Sequence, residues 1–180
     1  IDDVDVSTPS ARATLILGML SYVILLATLM GGLYLAIDAT AGERERGSLE
    51  PLLTLPVTRE HLIYGKIAAT TVMMLAALAI VAGSIAVSLR AIPLETFGMT
   101  ANFGPSVVWR VFATVAPFAL LAAAILTVVA SFTRTYKEAQ SWLGIVLLVP
   151  TVPIAIAGVL AVQPQAVLML VPSLSQHLLI

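Results

Sequence analysis

Residues 43–61 read ERERGSLEPLLTLPVTREH, a polar island between two long apolar runs. The island holds Glu43, Arg44, Glu45, Arg46, Glu50, Arg59 and Glu60, seven of the nineteen charged residues in the chain. Upstream, Ala13 to Ile37 carry no charge over about 25 residues. At 1.5 Å per residue that run covers roughly 37 Å, enough to cross a hydrocarbon core of about 30 Å with some tilt. Downstream, Ile67 to Leu89 are uncharged over about 23 residues, a second span. The island is therefore a turn at a membrane surface, with a span on each side.

Composition leads to the same class. The chain is 59% hydrophobic and 11% charged, with a mean hydropathy of +1.03. Water-soluble domains carry roughly 25% charged residues, so this chain lacks the polar surface that water demands. The net charge of −1 provides no basic surface for nucleic acid, and no nucleic-acid recognition motif is present. Cysteine is absent, which excludes disulfides, thiol catalysis and thiolate-ligated metal. The chain starts at Ile1 and ends in Leu178-Leu179-Ile180, the opening of another apolar run, so it reads as a fragment of a longer protein.

Taken in order, residues 1–10 are a polar lead-in with Asp2, Asp3 and Asp5, and Ser10 is placed to cap the first span, 13–37. Gly31-Gly32 inside that span suit close helix packing. The second span, 67–89, is rich in alanine with Thr70, Thr71, Gly83 and Ser84, again small residues that let backbones approach in lipid. A polar connection from Arg90 to Arg110 leads to a third span, 107–133, with Ser106 as its cap and Trp109 as an interfacial anchor. The turn Arg134-Thr135-Tyr136-Lys137-Glu138 precedes a fourth span, 139–162, which Pro150 and Pro153 should kink. Residues 164–177 are too short and too broken by Pro172 to cross, and read as a re-entrant or interfacial outer hairpin. The expected fold is thus an all-α integral membrane bundle of about four transmembrane helices.

Orientation follows from Lys and Arg counts. The island side holds Arg44, Arg46, Arg59, Lys66, Arg134 and Lys137, whereas the other side holds Arg12, Arg90 and Arg110. Residues 41–66 and 134–138 are therefore expected in the cytoplasm.

Within the island, Gly47-Ser48 can stop one helix and start another. Ser48 as N-cap would leave Glu50 in a first turn, and Pro51 is tolerated there because first-turn amides have no intrahelical partner. Pro56 limits that helix to about 48–55. Leu49, Leu52 and Leu53 then share one face at i, i+3 and i+4. Burying such leucines is worth roughly 1.5–3 kcal/mol each, and a groove on another protein is where they would find cover. Thr58 caps the following helix, and Arg46 is spaced to pair with Glu50 at i, i+4.

Catalysis finds little support. Arginines alternate with the carboxylates of 43–46 and would hold them ionised. His61 and His177 fall on opposite sides of the membrane and cannot share a metal. Ser84 has no histidine or lysine at its depth to act as a base, so a helix-packing role fits it better. Gly65-Lys66 is not a phosphate loop, because Ile67 stands where Ser or Thr is needed and Glu60 where the first glycine is needed. Apart from Arg110 in the first turn of the third, no charged residue lies within the spans, whereas ion-coupled carriers keep such groups for function. Energy for any transport would have to come from a partner. No cofactor is implied.

The run Ala41-Gly42-Glu43-Arg44-Glu45-Arg46-Gly47-Ser48-Leu49-Glu50-Pro51-Leu52-Leu53, followed by Leu55-Pro56-Val57-Thr58-Arg59 and Gly65-Lys66-Ile67-Ala68, resembles the signature of type-2 ABC transporter permeases, especially their sodium-extrusion (NatB-like) branch. The number and spacing of the spans agree, and Pro172-Ser173-Leu174-Ser175 looks like the family's outer hairpin. The resemblance implies six spans per subunit and a second permease subunit, identical or not. It also implies a cytoplasmic ABC ATPase held by the turn after the second family span. Residues 41–61 would be the coupling segment. Leu49, Leu52 and Leu53 would dock in the ATPase, and Glu43, Arg44, Glu45, Arg46, Gly47 and Glu50 would form the polar part of that interface. The first span, an extracytoplasmic domain and the last span would lie outside this chain. A competing reading from another class is a membrane scaffold that recruits a cytoplasmic partner without transport. The two differ in whether the partner's ATP hydrolysis responds to a transported compound.

Overall fold

A computed structural model describes residues 9–48, 51, 54, 56–91 and 105–160. Its long elements are α1 (Pro9–Ile37), α3 (Arg59–Ala91), α4 (Pro105–Phe132) and α5 (Tyr136–Leu160). Between α1 and the island the helix widens into a π-turn (Asp38–Gly42) and closes in a short α2 (Glu43–Glu45). Among the described residues four helices are long and apolar enough to cross a membrane. Proline opens α1 and α4, one residue ahead of the expected caps Ser10 and Ser106, since its fixed φ and missing N–H suit the first helical position. α3 starts eight residues before the expected span and so carries Arg59, Glu60, His61 and Lys66 on its first two turns. Thr58 precedes α3 as expected; its carbonyl accepts from the Leu62 amide at 3.3 Å, while its hydroxyl meets His61 Nδ1 at 2.6 Å. The expected outer hairpin, 164–177, lies outside the described residues.

α1 is the central element, packed against α3, α4 and α5. Its inward face holds Ile24, Leu25, Leu29, Leu33, Ala36 and Ile37, all buried. Against it α3 presents Met74 and Leu78, α4 presents Val115, Ala119 and Leu126, and α5 presents Leu143 and Leu147. Outward faces are just as apolar: Val72, Ile80 and Val87 on α3 and Val149 on α5 are all exposed. Such a helix, hydrophobic all round, belongs in lipid.

Gly31 and Gly32 make the closest seam in the bundle. A Cβ on Gly31 would run into Ala77 Cβ of α3, and one on Gly32 would come within 2.7 Å of Met74 Sδ. Only hydrogen at these positions lets α1 and α3 lie this close. Without a hydrophobic force between helices in lipid, such packing is what holds them together. Buried hydroxyls are few and mostly turned on their own helices: Thr28 donates to Ile24 O at 2.7 Å and Thr151 to Leu147 O at 2.7 Å. Thr127 of α4 reaches Thr70 of α3 at 3.5 Å, a hydroxyl contact between helices. Ser84 is exposed and donates to Ile80 O at 2.7 Å, a local bond within α3. α4 continues through Pro117, and α5 through Pro150 and Pro153.

Candidate functional site: the charged turn at one end of the bundle

The end of α1, the start of α3 and the α4–α5 turn come together at one end of the bundle. The first four charged residues of the island bind them to one another. Arg44 Nη1 donates to the carbonyl of Thr133 at 2.8 Å and Nη2 to that of Ser131 at 3.0 Å. These carbonyls close α4, where helix ends leave acceptors without intrahelical partners. A cation at a helix C-terminus is also favoured by the helix dipole. Thr133 adds its own hydroxyl, donated to Ala130 O at 2.7 Å.

Glu45 does the converse for α5. The Tyr136 amide, first of that helix, donates to Glu45 Oε2 at 2.6 Å. Thr135 and Glu138 complete the start. The Glu138 amide donates to Thr135 Oγ1 at 3.2 Å, and Glu138 Oε2 accepts from the Arg134 amide at 2.9 Å. Adjacent residues of opposite sign thus span the α4–α5 turn, the cation on the negative helix end and the anion on the positive one.

Glu43 turns towards α3 and pairs with Lys66 Nζ at 2.5 Å, in a contact where the two side chains are only 25% and 17% exposed. Arg46 pairs with Asp38, and its Nε donates to Gly42 O at 3.2 Å; the Glu50 its spacing suggested as a partner lies outside the described residues. The cause of the Asp38 pair is local. A regular α-helix rises about 12 Å over the eight residues from 38 to 46, and the π-turn changes that path. Gly42 clears the way, since a Cβ there would sit 3.0 Å from Arg46 Nη2 and 3.1 Å from Asp38 Oδ1.

Gly47 ends the helical run with φ +71°, the left-handed conformation that glycine adopts without a Cβ penalty. The Ser48 amide donates to Glu43 O at 3.0 Å and the Gly47 amide to Arg44 O at 3.2 Å, the paired bonds of a Schellman stop. Ser48 also gives its hydroxyl to Glu43 O at 3.1 Å. Beyond the stop, Pro51, Thr54, Val57, Thr58, Arg59, Glu60 and His61 are all exposed. The Thr54 amide and hydroxyl both donate to Pro51 O, at 3.3 and 2.7 Å, a single turn of chain. Leu49, Glu50, Leu52 and Leu53 lie outside the described residues, and with them the expected leucine face.

The sequence therefore singled out Glu43, Arg44, Glu45, Arg46 and Gly47, and the structure brings these five together. It missed their partners Asp38, Lys66, Ser131, Thr133 and Tyr136. One signal for Lys66 was available: it is the last charge before a long uncharged run, on a helix that Thr58 starts. Among the described residues no group of three or more His, Cys, Asp or Glu is placed to hold a metal. Midway along the bundle α4 and α5 leave a groove of about 380 Å³, floored by Leu29 and lined by Phe118, Leu121, Ile125, Val149 and Pro150, all apolar.

Four apolar helices, knitted at one end by a charged turn, define a multi-pass helical membrane protein. The chain matches the family model described as ABC-2 family transporter protein over residues 4–178, and it belongs to that family. Over 143 residues it is 29% identical to the ABC transporter permease protein NatB of Bacillus subtilis (strain 168), an alignment that takes in 78% of this chain. The chain spans 37% of that relative's length. No solved structure matches.

Proposed function

We propose that this chain is the part of an ABC exporter permease that receives movement from a separate cytoplasmic ATPase, through residues 41–61. One observation carries the reading: Gly47 ends the helical run at a turn anchored to three helices, and the residues described between it and α3 are exposed. A segment that is to be pushed needs an anchored root and a free surface. In this reading Leu49, Leu52 and Leu53 dock in the ATPase, with Gly47 and Glu50 beside them. Glu43 to Arg46 form the root of the interface, and their exposed edges its polar rim. The segment faces the cytoplasm, where the excess of Lys and Arg places it. A second permease subunit completes the transporter, and the exported substrate is a sodium ion, a drug or a lipid.

The test is a mild-detergent pull-down of the full-length protein from its own membranes. A soluble ATPase bearing a phosphate loop should co-purify in stoichiometric amount, and Leu52→Asp should lose it while still inserting in the membrane. Normal ATPase association in Leu52→Asp would overturn the docking assignment. A different cytoplasmic partner in place of the ATPase would overturn the transport reading.

A further inference from the structure

The polar bonds of Glu43 to Arg46 are far from a random solvated cluster. Two of these residues, Arg44 and Glu45, make their bonds across 87 to 91 residues of sequence to a turn that the docking proposal does not use. All three bonds go to backbone atoms, Ser131 O, Thr133 O and Tyr136 N. They fix helix ends and leave side-chain rotamers alone. They also hold the turn from both sides, Arg44 gripping the last residues of α4 and Glu45 the first amide of α5. Two residues later Gly47 starts the exposed segment.

We infer that Arg44 and Glu45 are positioning residues that latch the coupling segment to the α4–α5 turn, so that the two move as one body through the ATPase cycle. The proposal rests on the reading of 41–61 as the segment an ATPase moves. Covalent connectivity alone would pass such a movement to α1 and α3, which flank the segment. The latch adds α4 and α5, which are remote in sequence. Glu43 and Lys66 hold the third contact, to α3, so displacement at residue 47 reaches all four long helices.

The latch is tested on the full-length permease co-purified with its ATPase in lipid nanodiscs, with spin labels at Ser48→Cys and Lys137→Cys. Both positions are exposed. Pulsed electron–electron distance measurement is made without nucleotide and with ATP trapped by a hydrolysis-blocking variant of the ATPase. The expected result is one narrow 48–137 distance, unchanged between the two states. In Arg44→Gln/Glu45→Gln the distribution should broaden or shift with nucleotide, while Arg44→Lys, which keeps the charge on a single donor nitrogen, should give an intermediate width. A 48–137 distance that changes with nucleotide in the parent, or a double variant with the parent's distribution, would overturn the latch. Absence of any co-purifying ATPase would instead sink the coupling reading before a distance is measured. Because Arg44 and Glu45 also edge the docking surface, a double variant that loses the ATPase is judged on the nucleotide-free permease alone, where a 48–137 distribution as narrow as the parent's would overturn the latch.

Discussion

Replacing Gly31 with alanine tests the α1–α3 seam on which the position of the charged turn depends. A Cβ on Gly31 would overlap Ala77 Cβ, with Met73 O at 3.5 Å and Ala77 Cα at 3.8 Å. Ala77 has no rotamer to change, so the two helix backbones must part. Overpacking costs about 1–3 kcal/mol, and a clash that no side chain can yield to takes the upper half of that range, about 2–3 kcal/mol. Alanine's helix preference over glycine returns about 0.8–1.0 kcal/mol. The net effect should be a loss of about 1–2 kcal/mol. The neighbouring Gly32 makes the comparison. A Cβ there runs into Met74 Cγ and meets its Sδ at 2.7 Å and Thr70 Cγ2 at 3.1 Å. Methionine is unbranched and adapts to irregular space, so a new rotamer absorbs most of the clash. An off-rotamer adjustment costs about 0.5–1.5 kcal/mol, which the propensity gain nearly cancels.

Gly31→Ala should therefore be the more harmful of two adjacent, chemically identical changes, although Gly32 is the more buried site. Thermal unfolding of the full-length protein in mild detergent reads the difference. At about 2–4 °C per kcal/mol for a chain of this size, Gly31→Ala should lower the midpoint by roughly 2–8 °C and Gly32→Ala by less. A double-mutant cycle identifies the cause. Ala77→Gly should recover about 1 kcal/mol in the Gly31→Ala background and nothing in the Gly32→Ala background. If Gly31→Ala unfolds at or above the parent temperature, or its effect simply adds to that of Ala77→Gly, the close approach at this seam is not what holds the helices.

Two further changes probe the charged turn itself. Lys66→Met leaves Glu43 without its partner in a mostly covered site and should cost about 1–3 kcal/mol; Lys66→Met/Glu43→Gln should recover most of that, as read by unfolding in detergent. Gly47→Ala should cost about 1–2 kcal/mol from left-handed backbone strain alone, because the space around its Cβ is open. Gly47→Asn should be milder, as asparagine tolerates that region, and amide hydrogen exchange at residues 44–48 should rise in the order Gly, Asn, Ala.

Much of the bundle was legible because crossing a membrane is a crude demand. Uninterrupted apolar length is enough to announce a span, and Ala13–Ile37 and Ile67–Leu89 each announce one. Which face of each helix turns inward was not legible. In α3 the buried Leu78 and the exposed Ile80 are equally apolar, since lipid asks no polarity of the outward face. Gly31-Gly32 was the exception, because only a close neighbour gives two glycines in mid-span a physical reason. The charged residues were found by their isolation, but their pairings were hidden for two reasons. Helix-end carbonyls and amides leave no mark in a sequence, so Thr133, Ser131 and Tyr136 gave no sign that they would bind Arg44 and Glu45. The π-turn at Asp38–Gly42 also changes the path between Asp38 and Arg46, so regular helical spacing did not suggest that pair.

The alternation of Glu and Arg at 43–46 can now be given a structural reason beyond solubility. Where helices leave the hydrocarbon region, their last carbonyls and first amides still need partners, and an unmet group near lipid is costly. α4 ends and α5 begins within four residues, Phe132 to Tyr136, which leaves the short turn little of its own to offer. Arg44 supplies the donors and Glu45 the acceptor, and the neighbouring Glu43 and Arg46 take Lys66 and Asp38. Each sign in the run thus answers a particular opposite need. Swapping Arg44 with Glu45 would keep the charge and the composition yet set an anion against carbonyl oxygens and a cation against an amide. The order of these residues, more than their number, makes the turn a fixed root for the segment that follows Gly47.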